Sequence, residues 1–574
     1  MSPAGHSDAN PALDGFFDTL FRHRPVDATF IGQHDQDHRL PDWSPAGLDA
    51  ATAAWSWQHD ALRGALAGAT DDHVLRSGDW GRIDLALAAS HCELSLAELE
   101  GPHMHRGNPS LAIGEAAFGV IALITRDFLP PEQRASWLLQ RLRQVPAFLA
   151  GALATLRQQP VPGAWREKAL KEARATARLL DDGLPLWSQA MGLASGIGAT
   201  LHDASQLALG GVHAFASALD ALPAAQSEVA ACGEALLDVC IRRGHWIDRS
   251  ADDLRADIQR RFADERSRLD AMVRNCGARD LGEVLARLAA RHPAPDEYYG
   301  AFGRVRDACQ ACAATHDLVT WPDAPIGYVP IPRWTRMAAG DLYYLFYRSP
   351  APLDPWAPYE YVVSPIDDLD ADAQERLLRS WNDSVIKLNH VVHHGALGHH
   401  VQNWYAARAP SRVGRVAAAD CASRIAMLLG GTMAEGWACY ATDLMDEAGF
   451  LTPDERVAEQ QTRVRMLARA LNDLEFHSGR RTWSESVRFY VDDAGMSAEA
   501  ARNEAVKNSM FPGTAMMYWL GTQGIHDLRA AVRVREGAAF SLRRFHDRLL
   551  SHGAIPVAVT TRLMLQGGAD DARK

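Results

Sequence analysis

The chain has 574 residues, of which 47% are hydrophobic and 23% are charged, so it is long enough for several structural units or one large helical domain. No run approaches the roughly 18 uninterrupted apolar residues of a membrane helix, and the amino terminus lacks the basic and apolar regions of a secretory signal. A formal net charge of −12 and a pI near 6.0 disfavour a nucleic-acid-binding surface.

These features predict a cytoplasmic protein that acts on a small molecule or a short peptide, with no nucleic-acid partner and no membrane partner. They do not indicate an oligomeric state. Eight cysteines are sparse for this length and suit a reducing compartment. Cys309 and Cys312 form the one CxxC sequence, a pattern more typical of two thiols on an Ala-rich helix than of a zinc or redox pair.

Long Ala/Leu/Arg/Glu-rich segments predict helices along most of the first 317 residues. Apolar residues at helical spacing mark an amphipathic first helix from Asn10 to about His23, and Ser44 can cap a helix that begins at Pro45. Further helices are predicted at about 45–68, 79–100, 131–157, 162–182, 184–193, 203–221, 226–243, 250–274, 279–290 and 295–315.

The composition changes between Leu318 and Pro365, where aromatic and β-branched residues between prolines predict short strands. A small sheet is therefore expected before the histidine-rich helix, with the aromatic segment around Tyr343, Tyr344 and Tyr347 as a wall of a cleft. Helices then resume at about 371–394, 396–408, 415–447, 453–478, 483–494, 498–509, 512–536 and 540–551.

The predicted fold class is mainly α, in a single unit that spans residues 1–574. Within that unit we distinguish a helical amino-terminal part, 1–317, from a part at 318–574 that holds the small sheet and the helices of the candidate site.

Five of the 23 histidines fall between His390 and His400. Such density favours a metal or proton-transfer site over a solvated histidine run. On a helix, His390, His393 and His394 lie within one 100° arc. Gly395 and Gly398 interrupt this helix, and a local bulge there could turn either His399 or His400 to the side of His393, a choice that the spacing leaves open.

Glu435 is a single carboxylate in the apolar run from Gly430 to Tyr440. A buried carboxylate needs a cation beside it, so Glu435 is a candidate metal ligand, with a salt bridge to an arginine as the alternative. Arg469, Asp473 and His477 recur every four residues and so share one helix face. An ordinary helix salt bridge with a neighbouring histidine is the alternative for that trio.

These residues resemble domain-of-unknown-function family 885, bacterial proteins related to the zincin metallopeptidases, and the resemblance covers most of the chain. In chain order the matching motifs are Asp27–His34 with Arg39–Trp43, His393-His-Gly-Ala-Leu-Gly-His-His-Val-Gln402 for HEAxPGHHxQ, Glu435-Gly-Trp-Ala-Cys-Tyr440 for EGWALY, Arg469-Ala-Leu-Asn-Asp-Leu-Glu-Phe-His477 for RLxxDxGxH, and Pro512-Gly-Thr-Ala-Met-Met-Tyr-Trp-Leu-Gly521 for PGQALSYxxG.

The resemblance implies a helical zincin-like scaffold with one divalent metal, zinc as the first choice and iron or manganese as alternatives. The implied ligands are His393, His399 or His400, and Glu435. The implied catalytic residues are His394, His477, Tyr518, Asp473 and Arg469.

Two of the departures from the family pattern lie in the histidine motif. His394 stands where the family has its glutamate, the base that takes a proton from metal-bound water, and Leu397 replaces a proline. His394 could serve as a replacement base or as a fourth metal ligand.

Three functions follow as expectations. The first is a metal-dependent hydrolase of a small amide, peptide or ester, with Tyr518 and His477 stabilising the oxyanion. The second is an iron-, manganese- or zinc-dependent lyase, isomerase or oxygenase with a three-histidine, one-carboxylate site. The third is an inactive binding protein on a peptidase-like scaffold.

Overall fold

The computed structural model describes residues 10–225, 230–342, 347–354, 358–419 and 423–566. Within these ranges the chain is mainly helical, with five short strands, which confirms the predicted fold class of a helical protein with a small sheet. None of the described helices is both long and apolar enough to cross a membrane.

Among the described residues, fourteen α-helices precede the small sheet. They are α1 (Pro11–His23), α2 (Pro25–Ile31), α3 (Pro45–Ala65), α4 (Asp71–Ser77), α5 (Trp80–Glu100), α6 (Pro109–Ile124), α7 (Pro131–Leu156), α8 (Gly163–Arg178), α9 (Leu184–Ala190), α10 (Ser195–Asp220), α11 (Glu234–Val239), α12 (Ala251–Asn275), α13 (Leu281–Ala289) and α14 (Tyr298–Thr315).

Twelve more α-helices follow in the part of the remaining chain that the structure describes. They are α15 (Arg336–Ala339), α16 (Ala371–Ser380), α17 (Asp383–Val385), α18 (His399–Ala406), α19 (Arg412–Val416), α20 (Gly431–Glu447), α21 (Pro453–His477), α22 (Trp483–Asp492), α23 (Ala498–Met510), α24 (Met517–Glu536), α25 (Leu542–Ser551) and α26 (Val557–Gln566). Wider π-helical turns occupy Leu179–Gly183, Cys240–Gly244, Ile386–Gly395 and Ile425–Gly430.

The predicted small sheet has three strands. The strands are β3 (Ile326–Pro330), β4 (Tyr347–Arg348) and β5 (Tyr359–Val363), in the order β3–β5–β4, with β3 and β5 parallel and β4 antiparallel to β5. A separate two-residue parallel pair joins β1 (Val161–Pro162) to β2 (Ala224–Ala225). Tyr343 and Tyr344 lie outside the described residues, so their place in the predicted aromatic wall stays a prediction.

Sequence signals at the helix ends agree with the structure. The Ser44 hydroxyl accepts from the Gly47 amide and caps α3, which begins at Pro45 as predicted. The first helix, α1, ends at His23 and buries its apolar stripe, including Phe16 and Leu20.

Two large apolar cores organise the described chain. The first joins α1–α10 and receives Ile425, Leu429 and the segment around Ile555 from the far end of the sequence. The second surrounds the π-helical segment Ile386–Gly395 with α14, α18, α20, α24 and α25. Because α14 lies before residue 318 and packs in the second core, the packing crosses the boundary that we drew from composition.

Candidate metal centre

The histidine-rich stretch forms a π-helical segment, Ile386–Gly395, rather than a regular α-helix. Hydrogen bonds in a π-helix run from i to i+5, which widens the turn, and such turns are frequent at functional sites. The Asn382 side chain accepts from the amides of Ser384 and Val385 and so fixes where the helical path begins. The wider turn changes which of the histidines share a face.

The chain turns sharply between Gly395 and Gly398. The Gly398 amide donates to the Val392 carbonyl at 2.8 Å, and a Cβ on Gly398 would overlap the carbonyl group of His393. Only glycine allows this close approach of the backbone. The turn returns His399, the first residue of α18, to the side of the π-helical segment on which His393 lies.

Three imidazoles and one carboxylate converge at this turn. His393, His394 and His399 each offer a ring nitrogen, and the three nitrogens lie within 4.8 Å of one another. Glu435, from the second turn of α20, places Oε2 3.4 Å from His393 Nε2 and 3.6 Å from His399 Nε2. The structure thus brings together four of the residues predicted for the site.

The spacing and donor chemistry of this cluster fit a divalent metal ion. Histidine and carboxylate ligands lie about 2.0–2.2 Å from zinc, so two ligand atoms at a tetrahedral angle are separated by about 3.3–3.6 Å. The distances of 3.4 and 3.6 Å from Glu435 to His393 and His399 agree with that separation. Zinc and iron both bind ligand sets that combine imidazole nitrogens with a carboxylate.

Hydrogen bonds fix the orientation of two of the rings. His394 Nδ1 donates to the Asn389 carbonyl at 2.7 Å, which leaves Nε2 as the ring nitrogen with a free lone pair. His393 Nδ1 lies 3.9 Å from the Cys439 Sγ, one turn after Glu435 on α20. Partners of this kind orient metal-binding histidines in known sites.

Charge and burial favour the protonation states that bind a metal. Burial lowers the pKa of His394 well below its ordinary value, and His393 and His399 lower it further, so the ring is neutral at pH 7. Burial also lowers the pKa of His393. Burial raises the pKa of Glu435, but His399 and His393 outweigh it and hold the pKa well below the ordinary value.

Two side chains hold the turn that carries His399. Trp437, two residues after Glu435, donates its indole N–H to the Leu397 carbonyl at 2.9 Å. The Tyr328 hydroxyl of β3 donates to the Gly395 carbonyl at 2.9 Å. The small sheet and α20 therefore hold the turn at Gly395 and at Leu397.

His400 and His390 lie outside the cluster. His400 Nε2 contacts the Ala324 carbonyl at 3.0 Å, and its ring meets the Tyr359 ring edge-to-face. His390 is buried, and its ring stacks on that of Trp381 with 3.9 Å between the ring centroids. Of the two histidines that the spacing left open, the structure brings His399 to the cluster.

His477 and Asp473 do not reach the cluster either, and their partners do not fit the predicted roles. His477 accepts from the Cys232 amide at Nδ1 and donates to the Asn508 carbonyl at Nε2, which leaves neither nitrogen for an oxyanion. Asp473 accepts from the amides of Gly513 and Met516 and lies 3.6 Å from His477. Asp473 therefore connects α21 to the segment before α24, whereas His477 connects α21 to α23 and to the segment before α11.

Arg469 and Tyr518 lie on helices next to the cluster. Arg469 donates to both carboxylate oxygens of Glu504, at 2.8 and 2.7 Å, and its guanidinium lies 5.5 Å from the centre of the Tyr518 ring. Tyr518 is on α24, one turn before Gly521. A Cβ on Gly436 would collide with Gly521, so α24 touches α20 directly beside Glu435.

Sequence reasoning missed three side chains on α20, α21 and α23, which pack together in one apolar core: Arg465, Lys507 and Cys439. Arg465 precedes Arg469 by one turn and belongs to the same four-residue periodicity, which was a usable signal. Lys507 follows Glu504 by three residues on α23, a spacing that connects it to Arg469 only once Glu504 is known to bind that arginine. Cys439 carried no signal of its own.

The fold is helical, and a cluster of histidines and one carboxylate lies between its helices. Comparison with known proteins gives the family. The pattern of "Bacterial protein of unknown function (DUF885)" matches residues 25–564, and the chain belongs to this family. No curated protein is similar enough in sequence to count as a relative.

Two solved structures are similar over nearly the whole chain. A candidate lipoprotein of unknown function from Shewanella oneidensis has a TM-score of 0.75 at 19% identity, over 96% of this chain and 99% of that one. A candidate lipoprotein from Colwellia psychrerythraea has a TM-score of 0.73 at 17% identity, over 97% and 98%. At these identities the similarity shows the fold alone.

Proposed function

We propose that this protein is a zincin-like, metal-dependent hydrolase that cleaves a small amide, peptide or ester. The observation that carries the proposal is the convergence of His393, His394, His399 and Glu435 from the π-helical segment, α18 and α20. Two histidines and a glutamate from a second helix are the ligand set of many zinc hydrolases. Iron and manganese are the alternatives to zinc.

His393, His399 and Glu435 would hold the ion, which when bound supplies a Lewis acid and a water of lowered pKa. His394 would accept a proton at Nε2, since its Nδ1 donates to Asn389. In the overall reaction water adds its oxygen to the acyl carbon and its two protons leave with the acid and the amine or alcohol. His394 thus replaces the glutamate of the family pattern as the base.

Tyr518 would donate its phenol to the developing oxyanion. The support for this role is its position on α24 beside Glu435 and the Arg469 guanidinium over its ring. Because His477 uses both ring nitrogens on backbone groups, we do not include it in the oxyanion site.

A second function is favoured by one observation, the proximity of His394 to both His393 and His399. If His394 is a fourth ligand, the site has three histidines and one carboxylate, which closes a tetrahedral zinc site but leaves positions open on octahedral iron or manganese. Such a site supports lyase, isomerase or oxygen chemistry. An inactive binding protein is the remaining alternative.

Metal analysis of the wild type, of ligand variants and of a matched control at a neighbouring histidine tests the proposal. We expect about one divalent ion per chain in the wild type, and loss of stoichiometric metal in His393→Ala, Glu435→Ala and His399→Gln. His400→Gln is the matched control, since glutamine keeps a donor for Ala324, and it should keep the metal. Full occupancy in all four variants would exclude the site and both enzymatic functions.

Metal identity and activity separate the functions from one another. Zinc in the isolated protein, with metal-dependent hydrolysis of short N-acyl amino acid esters and amides, supports the hydrolase. Iron or manganese without hydrolysis favours the second function, and absence of bound metal in the wild type favours the binding protein.

A further inference from the structure

A cavity of about 160 Å³ lies between the end of α1, the segment that precedes α3, and the first turns of α3. The charged side chains of its lining are three arginines, Arg22, Arg24 and Arg39, and one acid, Asp42. The Asp42 carboxylate accepts from the Ser44 amide at 2.9 Å. The lining therefore carries two more positive than negative charges at pH 7.

None of these three guanidinium groups forms an ion pair with a residue in the described ranges. Arg24 donates to His105 Nε2 at 2.7 Å, and burial, with Arg24 itself, lowers the pKa of that ring well below its ordinary value and keeps it neutral. Arg39 donates to the side-chain carbonyl of Gln36 at 3.0 Å. In a chain with 71 acidic and 59 basic residues, three unpaired arginines at one cavity indicate a place for an external anion.

The positive charges act on the same part of the cavity. His23 lines it as well, and burial, followed by the charges of Arg24, Arg22 and Arg39, lowers the pKa of His23 to about 4. The imidazole is thus neutral at pH 7 and lies within electrostatic range of all three arginines. An anion beside His23 would be attracted by the same three groups.

Two carboxyl groups outside the lining lie within electrostatic range of Arg24. Burial raises the pKa of Asp27 to about 6 and that of Glu115 to about 8, although Arg24 lowers both. Glu115 is therefore mainly neutral at pH 7. Since Arg22 and Arg39 are exposed and pair with neither group, these acids do not cancel the charge of the cavity.

The rest of the lining is apolar and well buried. It includes Trp43, Leu48, Trp55 and Leu99, each with no more than 6% of its surface exposed. The Arg24 guanidinium lies 5.8 Å from the centre of the Trp43 ring. A ligand that fits this cavity therefore combines a negative charge with a compact apolar body.

We propose that this cavity binds a small organic monocarboxylate, with its carboxylate on Arg22, Arg24 and Arg39 and its apolar body, about the size of one aromatic ring, against Trp43. A guanidinium offers two parallel N–H donors that match one carboxylate. The Asp42 carboxylate in the lining disfavours a second negative charge, so the site suits a carboxylate better than a phosphate. The inference is independent of the proposed hydrolase.

Calorimetric titration of the full-length protein with benzoate and benzamide tests the charge. We expect benzoate to bind at least about tenfold more tightly than benzamide, which has the same ring without the charge. Arg24→Gln should remove this preference, and its amide can still donate to His105. Arg22→Gln changes an exposed side chain without an ion pair, so it should fold normally and still weaken benzoate binding by about threefold or more.

Arg502→Gln is the matched control for these variants. Arg502 is an exposed arginine of α23, so its substitution makes the same change in net charge and should leave the preference for benzoate intact. Acetate tests the apolar part of the site. It should bind at least about tenfold more weakly than benzoate, because it buries no ring against the tryptophans.

Three results would overturn the site. The first is equal affinity for benzoate and benzamide in the wild type, a comparison that depends on no variant's folding. The second is a preference that persists unchanged in both Arg24→Gln and Arg22→Gln. The third is tighter binding of inorganic phosphate than of benzoate, with loss in Arg22→Gln, since it would assign the cavity to an inorganic anion.

Repeating the titration after chelation separates this inference from the proposed function. A benzoate preference that depends on Arg24 and persists in chelator supports the cavity site, whether or not the protein hydrolyses anything. A preference that vanishes with the metal belongs to the metal centre and overturns the cavity site, while leaving the hydrolase proposal in place.

Discussion

His394 is the residue on which the chemistry of this protein depends. Its Nδ1 donates to the Asn389 carbonyl, and its Nε2 is neutral and free to accept a proton or bind a metal. A base is separated from the metal by one water molecule, whereas a ligand binds the metal directly. The same ring in the same tautomer serves either role, so substitution is needed to distinguish them.

We expect His394→Ala to keep stoichiometric metal and to lower hydrolysis by about 10²–10⁴-fold, because it removes the base and no ligand. His394→Glu should keep the metal and retain or raise activity, because it restores the carboxylate of the family pattern. Metal analysis and initial rates on an N-acyl amino acid ester measure both effects.

A different outcome would identify His394 as a ligand. Weakened metal binding in His394→Ala, together with a changed metal preference in His394→Glu, would contradict the base role and favour the second function.

Asp473 is expected to stabilise the fold rather than the reaction. Its oxygens accept from the amides of Gly513 and Met516, so in Asp473→Asn one amide N–H must face the NH₂ group of the asparagine. We expect a loss of about 1–3 kcal/mol in the free energy of unfolding, measured with urea, and unchanged metal content. Asp203→Asn, an exposed position on α10, is the control.

Loss of metal from Asp473→Asn at unchanged stability would contradict this assignment. Asp473 would then again be a candidate residue of the metal site.

The sequence identified the types of residue at the centre better than their contacts. His393 and Glu435 stood out because imidazole and an isolated carboxylate are rare in apolar runs. The choice of His399 over His400 depended on the backbone at Ala396 and Gly398, which lie outside the regular helical region.

At the scale of elements, the turn between the π-helical segment and α18 brings the histidines of this stretch together in one site. A regular helix through Gly395 and Gly398 would continue to spread the histidines around its axis. The π-helical turn and the two glycines instead fold the chain back over the His393 carbonyl. The side chains of Trp437 and Tyr328 then donate to the Leu397 and Gly395 carbonyls in the turn.

Gly398→Ala tests the importance of this turn. The added Cβ would overlap the His393 carbonyl, so the turn must open and move His399 away from His393 and Glu435. We expect metal affinity to fall by at least about tenfold, measured by competition with a chelator, while far-UV circular dichroism changes little.

Gly303→Ala is the matched control for this substitution. Gly303 is inside α14 with open space around it, so alanine should leave metal affinity unchanged and stabilise the helix by up to about 1 kcal/mol. Equal metal affinity in the two variants would show that the turn does not position His399.

Among the elements that differ from their prediction, two do so for identifiable reasons. Helix α6 (Pro109–Ile124) was not predicted, because twelve of its residues are buried and a helix that is apolar on all sides has no amphipathic period. The predicted helix at 371–394 is divided at Trp381, where Asn382 caps α17 and the chain enters the π-helical segment. Amphipathic, well-capped helices such as α1 and α3 were predicted correctly.

At the scale of the whole molecule, the second core links the small sheet, α14 and the ligand-bearing helices into one packed body. The division of the chain into parts at 1–317 and 318–574 stays a prediction, and so does the cytoplasmic location. The Shewanella and Colwellia proteins are described as candidate lipoproteins, but their identity to this chain is too low to transfer a location.

Buried neutral histidines are distributed through the whole fold and couple its stability to pH. Burial lowers the pKa of His103 to about 3, and those of His245, His477 and His546 to about 4, while backbone acceptors oppose the shift in each case. Each ring donates to a carbonyl from a distant segment: His245, for example, contacts the Gly513 carbonyl at 2.6 Å. Protonation would place a charge in the core.

The sign of the pH dependence follows from these shifts. The folded pKa values lie below the ordinary 6.5, so the unfolded chain binds more protons between about pH 6.5 and 4. The stabilisation from each neutral ring is therefore complete above pH 6.5 and is lost as the pH falls towards 4. For one shift of this size the loss is on the order of 3 kcal/mol.

We expect the Tm of the chelator-treated protein to be level above about pH 6.5 and to fall steeply below it. Scans by circular dichroism measure this, and chelation keeps metal release out of the comparison. His245→Gln retains a donor for Gly513 but cannot be protonated, so its Tm should fall less steeply, whereas the exposed His202→Gln should match the wild type. A Tm that stays level down to about pH 4.5 would contradict this prediction. It would mean that buried carboxyl groups with raised pKa values, such as Asp473 at about 7, offset the histidines, because the folded state then gains protons as the pH falls.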